Sequence, residues 1–217
     1  SYGVGEFDLA GVFNGSSSYV MISDSTALRL TGDYTISLWF YTNNLSTTQI
    51  LINKDDQADF SAGYFLALLD SGQGSYVRWG HHSGTNQNWD SSYSFSANTW
   101  YYITAVYSDS ANLRSFYVNG VLDGTIATNT NVNAGTENLF LGVYGSTSPV
   151  GAYLNGSLDQ VRIFNKALNA GEVTTLYNET ACTKAACSGT TNTLDILGDG
   201  SCIATGLCKQ QEQIYLI

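Results

Sequence analysis

Between Ala10 and Phe164 the chain reads as short apolar or aromatic runs broken by small polar turn residues. Ala10–Phe13 and Tyr19–Ile22 flank a Gly15-Ser16-Ser17-Ser18 turn. Within Tyr34–Thr42 (YTISLWFYT) the residues alternate, which places Ile36, Leu38 and Phe40 on one face. A period of two marks a strand with one buried face, because successive side chains point to opposite sides. Gly63–Asp70, Tyr76–Trp79, Trp100–Ser108, Leu113–Asn119, Asn138–Tyr144 and Ser157–Phe164 are further strand candidates. Asn119-Gly120, between two β-rich runs, is the strongest local hairpin signal, since a type I′ turn needs positive φ at both central residues. Trp39 and Trp100 sit in alternating strands and read as packing residues. One helix is expected: Asn169 caps it, Glu172 closes the capping box, and Val173, Leu176 and Tyr177 form an inward face ending near Asn178. The pattern predicts an all-β fold, an antiparallel two-sheet β-sandwich with one short C-terminal helix. Residues 1–179 form that domain, and residues 180–217 read as a cysteine-containing tail or linker.

Composition narrows the partners. Hydrophobic residues make up 43% of the 217, enough for a core between two sheets. Charged residues are 12%, about half the usual share, so Ser, Thr, Asn and Gly must carry the surface. A net charge of −10 with 8 Lys and Arg excludes a nucleic-acid or anionic-membrane partner and suits neutral glycans or a cation. No apolar run approaches the length of a membrane span, so no membrane insertion is expected. The chain opens at Ser1 without a signal-peptide pattern and is expected to be a processed product or part of something longer. Cys182, Cys187, Cys202 and Cys208 all lie in the tail, spaced C-x4-C-x14-C-x5-C. That is not a zinc ribbon, so disulfides in an oxidising setting are expected, with three pairings open.

Four blocks carry a family resemblance: AGVFNGSSSYVMI (10–22), LTGDYTISLWFY (30–41), NTWYYITAVYS with LRSFYVNGVLDG (98–108 and 113–124), and NGSLDQVRIFNKALNAGEVTTLYN (155–178). In order and spacing they resemble LamG-like, concanavalin A-like jelly-roll domains, which occur in tandem in bacterial surface proteins and marine phage structural proteins. The resemblance implies a sandwich over about residues 10–178 and an extracellular or virion-surface setting.

The superfamily it points to also contains glucanases, whose paired carboxylates about 5 Å apart stand on a strand as E-x-D-x-x-E. None of Glu6, Glu137, Glu172, Glu179 or Glu212 has that spacing, and Lys54-Asp55-Asp56 reads as a loop. His81-His82 lacks the neighbours of a metal or hydrolase site, so no enzyme is expected. In SLDQVRIF, alternation places Asp159 on the face of Val161 and Ile163. A buried carboxylate must be paired, hydrogen-bonded or metal-bound. Domains of the resembled kind carry structural Ca²⁺, so one reading is an ion held by Asp159, Asn14 and Ser17. The other is that Asp159 accepts backbone N–H bonds from the Asn14–Ser18 turn.

Sugars offer apolar faces to rings and hydroxyls to amides. The stretch WGHHSGTNQNWDSSY (79–93) offers Trp79, His81, His82, Asn86, Asn88, Trp89 and Tyr93 as a candidate glycan surface, with core packing of Trp79 the competing reading. Tyr144 and Tyr153 form a second candidate. Two functions stay open. One is a non-catalytic module that binds glycans or cell-surface polysaccharide. The other is a structural spacer whose tail contacts neighbouring copies or other structural subunits.

Overall fold

The computed structural model describes residues 1–7, 9–55, 62–70, 75–85, 87–128 and 132–179, together with the backbone of residues 215–216. Its strands are β1 (Tyr2–Val4), β2 (Leu9–Asn14), β3 (Val20–Ile22), β4 (Tyr34–Thr42), β5 (Gln49–Asp55), β6 (Gly63–Asp70), β7 (Ser75–His82) and β8 (Asn88–Asp90). β9 (Trp100–Ser108), β10 (Leu113–Val118), β11 (Val121–Ala127), β12 (Leu139–Leu141), β13 (Tyr144–Gly145), β14 (Pro149–Gly151) and β15 (Asn155–Phe164) follow. Helix α1 (Ala170–Tyr177) and a two-residue β16 (Tyr215–Leu216) come last. An eight-stranded sheet runs β1-β2-β15-β4-β9-β10-β11 with β16 parallel beside β15, and a six-stranded sheet runs β3-β12-β5-β6-β7-β8. All other pairings within these sheets are antiparallel.

Alternation builds the core as expected. Ile36, Leu38 and Phe40 of β4, with Ile103 and Ala105 of β9 and Phe116 of β10, face Leu66 and Leu68 of β6 and Val77 and Trp79 of β7. The outer side of the eight-stranded sheet is covered too. Trp39 stacks on Tyr177 of α1 at 5.6 Å and meets the edge of Phe7, so both ends of the domain close over it. Trp100 is half-buried against Tyr41. The helix forms with its predicted capping box: the Asn169 side chain accepts from Glu172 N, and the Glu172 carboxylate accepts from Asn169 N. Val173 is its buried anchor. The Asn119-Gly120 turn has φ of 50° and 75°. A Cβ on Gly120 would also come within 2.9 Å of the Tyr177 ring, so the turn supports the helix as well as the hairpin.

Two expectations are corrected. Lys54 and Asp55, expected in a loop, end the wholly buried strand Gln49–Asp55, and Lys54 sits inside it because Asp24 and the Glu137 carbonyl satisfy its amine. Asp56 lies outside the described residues. The second correction concerns Asp159. Gln160 has φ 47°, and the pairing of β15 with β4 slips between Asp159 and Arg162. This bulge changes the parity, so Leu158, Val161 and Ile163 face the core while Asp159 points to the opposite side. The tail cysteines Cys182, Cys187, Cys202 and Cys208 lie outside the described residues.

Candidate functional site

With Leu66, Leu68, Val77, Trp79 and His81 turned inward, the outer face of the six-stranded sheet carries Phe65 and Leu69 from β6. Tyr76, Arg78, Gly80 and His82 come from β7, and Asn88 and Asp90 from β8. Over β12 and β5 that face is closed. Asn53 donates to the Gly145 carbonyl of β13, and Phe140 lies buried beneath Tyr19. Over β6, β7 and β8 the face opens: Phe65, Leu69, Tyr76, Arg78 and Asn88 are half-exposed and Asp90 is exposed. Glycine makes this floor possible. A Cβ on Gly80 would fall 2.1 Å from Phe65, so the phenyl ring lies over the bare backbone of β7.

Polar groups surround the ring. Arg78 grips Asp90 in a two-pronged ion pair, Nε to Oδ1 at 2.7 Å and Nη2 to Oδ2 at 2.8 Å. The Asp90 carboxylate raises the Arg78 pKa, and the guanidinium stands 5.9 Å from the Tyr76 ring. At the far side of Phe65, the His82 ring meets it edge-on at 5.5 Å. His82 Nδ1 lies 3.0 Å from Asp55 Oδ1 and Nε2 lies 3.4 Å from Asn88 Oδ1, while the Tyr144 hydroxyl donates to Asp55 Oδ2 at 3.4 Å. The open floor therefore offers one apolar ring, a charged fork and an amide, bounded by a buried acid–imidazole pair.

Only part of the predicted 79–93 surface is there. Trp79 and His81 face the core and are buried, with His81 Nδ1 3.0 Å from the Tyr34 hydroxyl. His82 is on the outer face but fully buried beside Asp55. Trp89 pairs with Trp79 and packs on the core edge against Phe116. Tyr93 is exposed beyond the end of β8, against Phe95 and Tyr101. Asn88 alone of the described set reaches the open floor, and Asn86 lies outside the described residues. Of the second candidate pair, Tyr144 borders the floor through Asp55.

The proposed calcium ligands are not brought together. Asn14 pairs with Asn155, four residues along β15 from Asp159, which is about 13 Å at the rise of a strand. Asn14 Oδ1 is already occupied by the N–H groups of Ser16, Ser17 and Ser18, and its amide donates to Ser17 Oγ. Asp159 accepts from Phe7 N at 2.8 Å, so its partner is the N-terminal turn rather than the Asn14 loop. Burial pushes the Asp159 carboxyl up from its usual value. These residues do not fit one ion, and among the described residues no group of three or more His, Cys, Asp or Glu could hold a metal.

A family model for laminin G-type domains, described as the concanavalin A-like lectin/glucanases superfamily, matches residues 14–174. The chain belongs to this superfamily. Its lectin/glucanase fold is shared with domain 4 of AbnA, an extracellular arabinanase from Geobacillus stearothermophilus, in complex with arabinotriose. That pair is 21% identical over 82% of this chain and 81% of the other, with TM-score 0.63. The Ruminococcus gnavus sialidase CBM40 bound to α2,3 sialyllactose is 13% identical over 75% of this chain and 98% of its own, TM-score 0.60. A heptameric pentraxin from Limulus polyphemus is 15% identical over 77% and 80%, TM-score 0.60. No curated protein sequence matches the chain. In this lectin/glucanase sandwich the floor residues that sequence reasoning missed are Phe65, Tyr76, Arg78 and Asp90. Arg78 carried a usable signal, since it alternates with the apolar Val77 and Trp79; Asp90 is its partner across β7 and β8.

Proposed function

We propose that the chain is a non-catalytic carbohydrate-binding module whose ligand lies across Phe65 on the open half of the six-stranded sheet. The observation that carries this is the half-exposed Phe65 ring seated over Gly80 and flanked by the Arg78–Asp90 fork and Asn88. A pyranose or furanose presents C–H groups to a ring and paired hydroxyls to a carboxylate, guanidinium or amide, which this floor supplies. Structures of the same fold bound to arabinotriose and to sialyllactose support a glycan ligand. No catalytic step is assigned, because the two carboxylates of this face are engaged: Asp90 by Arg78 and Asp55 by His82. The extracellular arabinanase domain supports a setting outside the cell; a virion surface is the alternative setting. Screening on a glycan array, then calorimetric titration of the hits, tests the proposal. The wild type is expected to bind at least one oligosaccharide, and Phe65→Ala to weaken it about tenfold or more. An array with no hit, or a Phe65→Ala variant as tight as the wild type, overturns it.

A second reading, a spacer packed against neighbouring subunits, is favoured by β11, where Val121 and Leu122 are exposed and which ends its sheet among the described strands. Sedimentation showing a concentration-dependent assembly abolished by Val121→Lys supports it, and a monomer at all concentrations removes it.

A further inference from the structure

Among the described residues, every arginine and lysine but one holds a carboxylate. Arg29 and Lys54 share Asp24, Arg78 holds Asp90, Arg162 holds Glu179, and Lys166 holds Glu172. Arg114 makes no ion pair. It is also the most buried of the arginines, at 3% exposure, whereas the other three keep part of their side chains in solvent.

Its place explains why this matters. Arg114 pairs with Tyr107 of β9 and Ile126 of β11 and turns inward, on the face of Phe116. It enters one end of the sandwich interior, where Tyr34, Tyr107, Trp79 and His81 gather. Tyr34 and Tyr107 lie 5.4 Å apart, and His81 is 4.7 Å from Tyr107. The guanidinium carbon stands 5.4 Å over the Trp79 ring, and Nη1 donates to the Gln87 carbonyl at 2.8 Å. Among the described residues Arg114 Nε has no acceptor, whereas the indole N–H of Trp79, itself 1% exposed, has the Tyr34 hydroxyl beside it. Arg114 Nε is a buried donor on a charged group, and its missing acceptor is costly.

A guanidinium stays protonated even where burial pulls its pKa down, as it does here. The ring face and one carbonyl offset only part of the desolvation of a full charge. Burial pushes the Tyr34 and Tyr107 phenols up, so neither supplies a negative charge at neutral pH. Water would satisfy the orphaned donor but leave the charge unbalanced. The geometry points to a bound monovalent anion of chloride size in this end of the sandwich, accepting from Arg114 Nε. Walls of buried aromatic rings suit a monatomic ion rather than the acid group of a larger ligand. The site lies on the inner side of the sheet whose outer side carries Phe65, so it stands or falls independently of glycan binding.

Thermal melts in sodium chloride and in sodium gluconate at equal ionic strength, with diffraction from crystals grown in bromide, test the site. The chloride midpoint is expected to be higher by on the order of 3 °C, as for a ligand well above its dissociation constant. Arg114→Met is expected to remove that difference. An anomalous bromide peak is expected within hydrogen-bond distance of Arg114 Nε. Equal wild-type midpoints, or a bromide crystal without that peak, overturn the proposal, and both measurements stand even if the Arg114→Met chain fails to fold.

Discussion

At Gly80 a missing side chain decides where an aromatic ring can lie. Gly80→Ala puts a Cβ within 2.1 Å of Phe65, and the ring must leave its seat over β7. The expected outcome is a loss of glycan affinity close to that of Phe65→Ala, with an unchanged far-ultraviolet circular dichroism spectrum. Calorimetry on both variants checks it. His82 has a different role. Its ring lies 3.0 Å from the buried Asp55 carboxyl, so His82→Ala removes a hydrogen-bond partner from a buried polar group. Urea unfolding is expected to show a loss of about 1–3 kcal/mol, in line with leaving a buried polar group short of a hydrogen bond. Neither role could be read from residue type. Trp79, His81 and His82 look alike as candidates in the sequence, yet parity sends Trp79 and His81 into the core and leaves His82 on the outer side under cover. A period of two says which side chains share a face and is silent on which face meets solvent.

Elements were legible where alternation was clean and hidden where one residue broke it. β4 and β9 follow their pattern, whereas β5 was missed because Lys54 and Asp55 end an apolar run with polar groups whose partners, Asp24, Glu137, His82 and Tyr144, are distant in sequence. The bulge at Gln160 was likewise invisible, and it moved Asp159 from the inner face to the outer one. Asp159 now ties the N-terminal turn to β15 through Phe7 N. Asp159→Ala is expected to cost about 1–3 kcal/mol and to speed hydrogen exchange in β1 and β2 while leaving β9 slow. The Asp24 loop gives a pH signature. Arg29 first, and then Lys54, hold the Asp24 carboxyl down to about 2, below the roughly 3.9 of an unfolded aspartate. The native state therefore binds fewer protons than the unfolded chain between those values. The stability Asp24 contributes is full above pH of about 4 and is lost as pH falls toward 2. Urea midpoints of the wild type should drop more steeply over that window than those of Asp24→Asn, and parallel slopes would contradict the assignment.

For the whole molecule, two layers bury aliphatic and aromatic stripes, and their covers decide which outer surface remains free. The N-terminal turn and α1 close the middle of the eight-stranded sheet, while the β13–β14 hairpin and Tyr19 close half of the six-stranded one. The two-sheet architecture, the helix and its cap were legible from periodicity and from the four family blocks. The open half-face was not, because it depends on how far the covering segments reach. The most direct test of the carbohydrate-binding account is an amide and side-chain NMR titration of the chain with an oligosaccharide that binds it. Shifts are predicted to gather on Phe65, Leu69, Tyr76, Arg78, Asn88 and Asp90. Shifts confined to Tyr93, Phe95 and Trp100, or to the exposed strand β11, with the β6–β8 face unchanged, would contradict it.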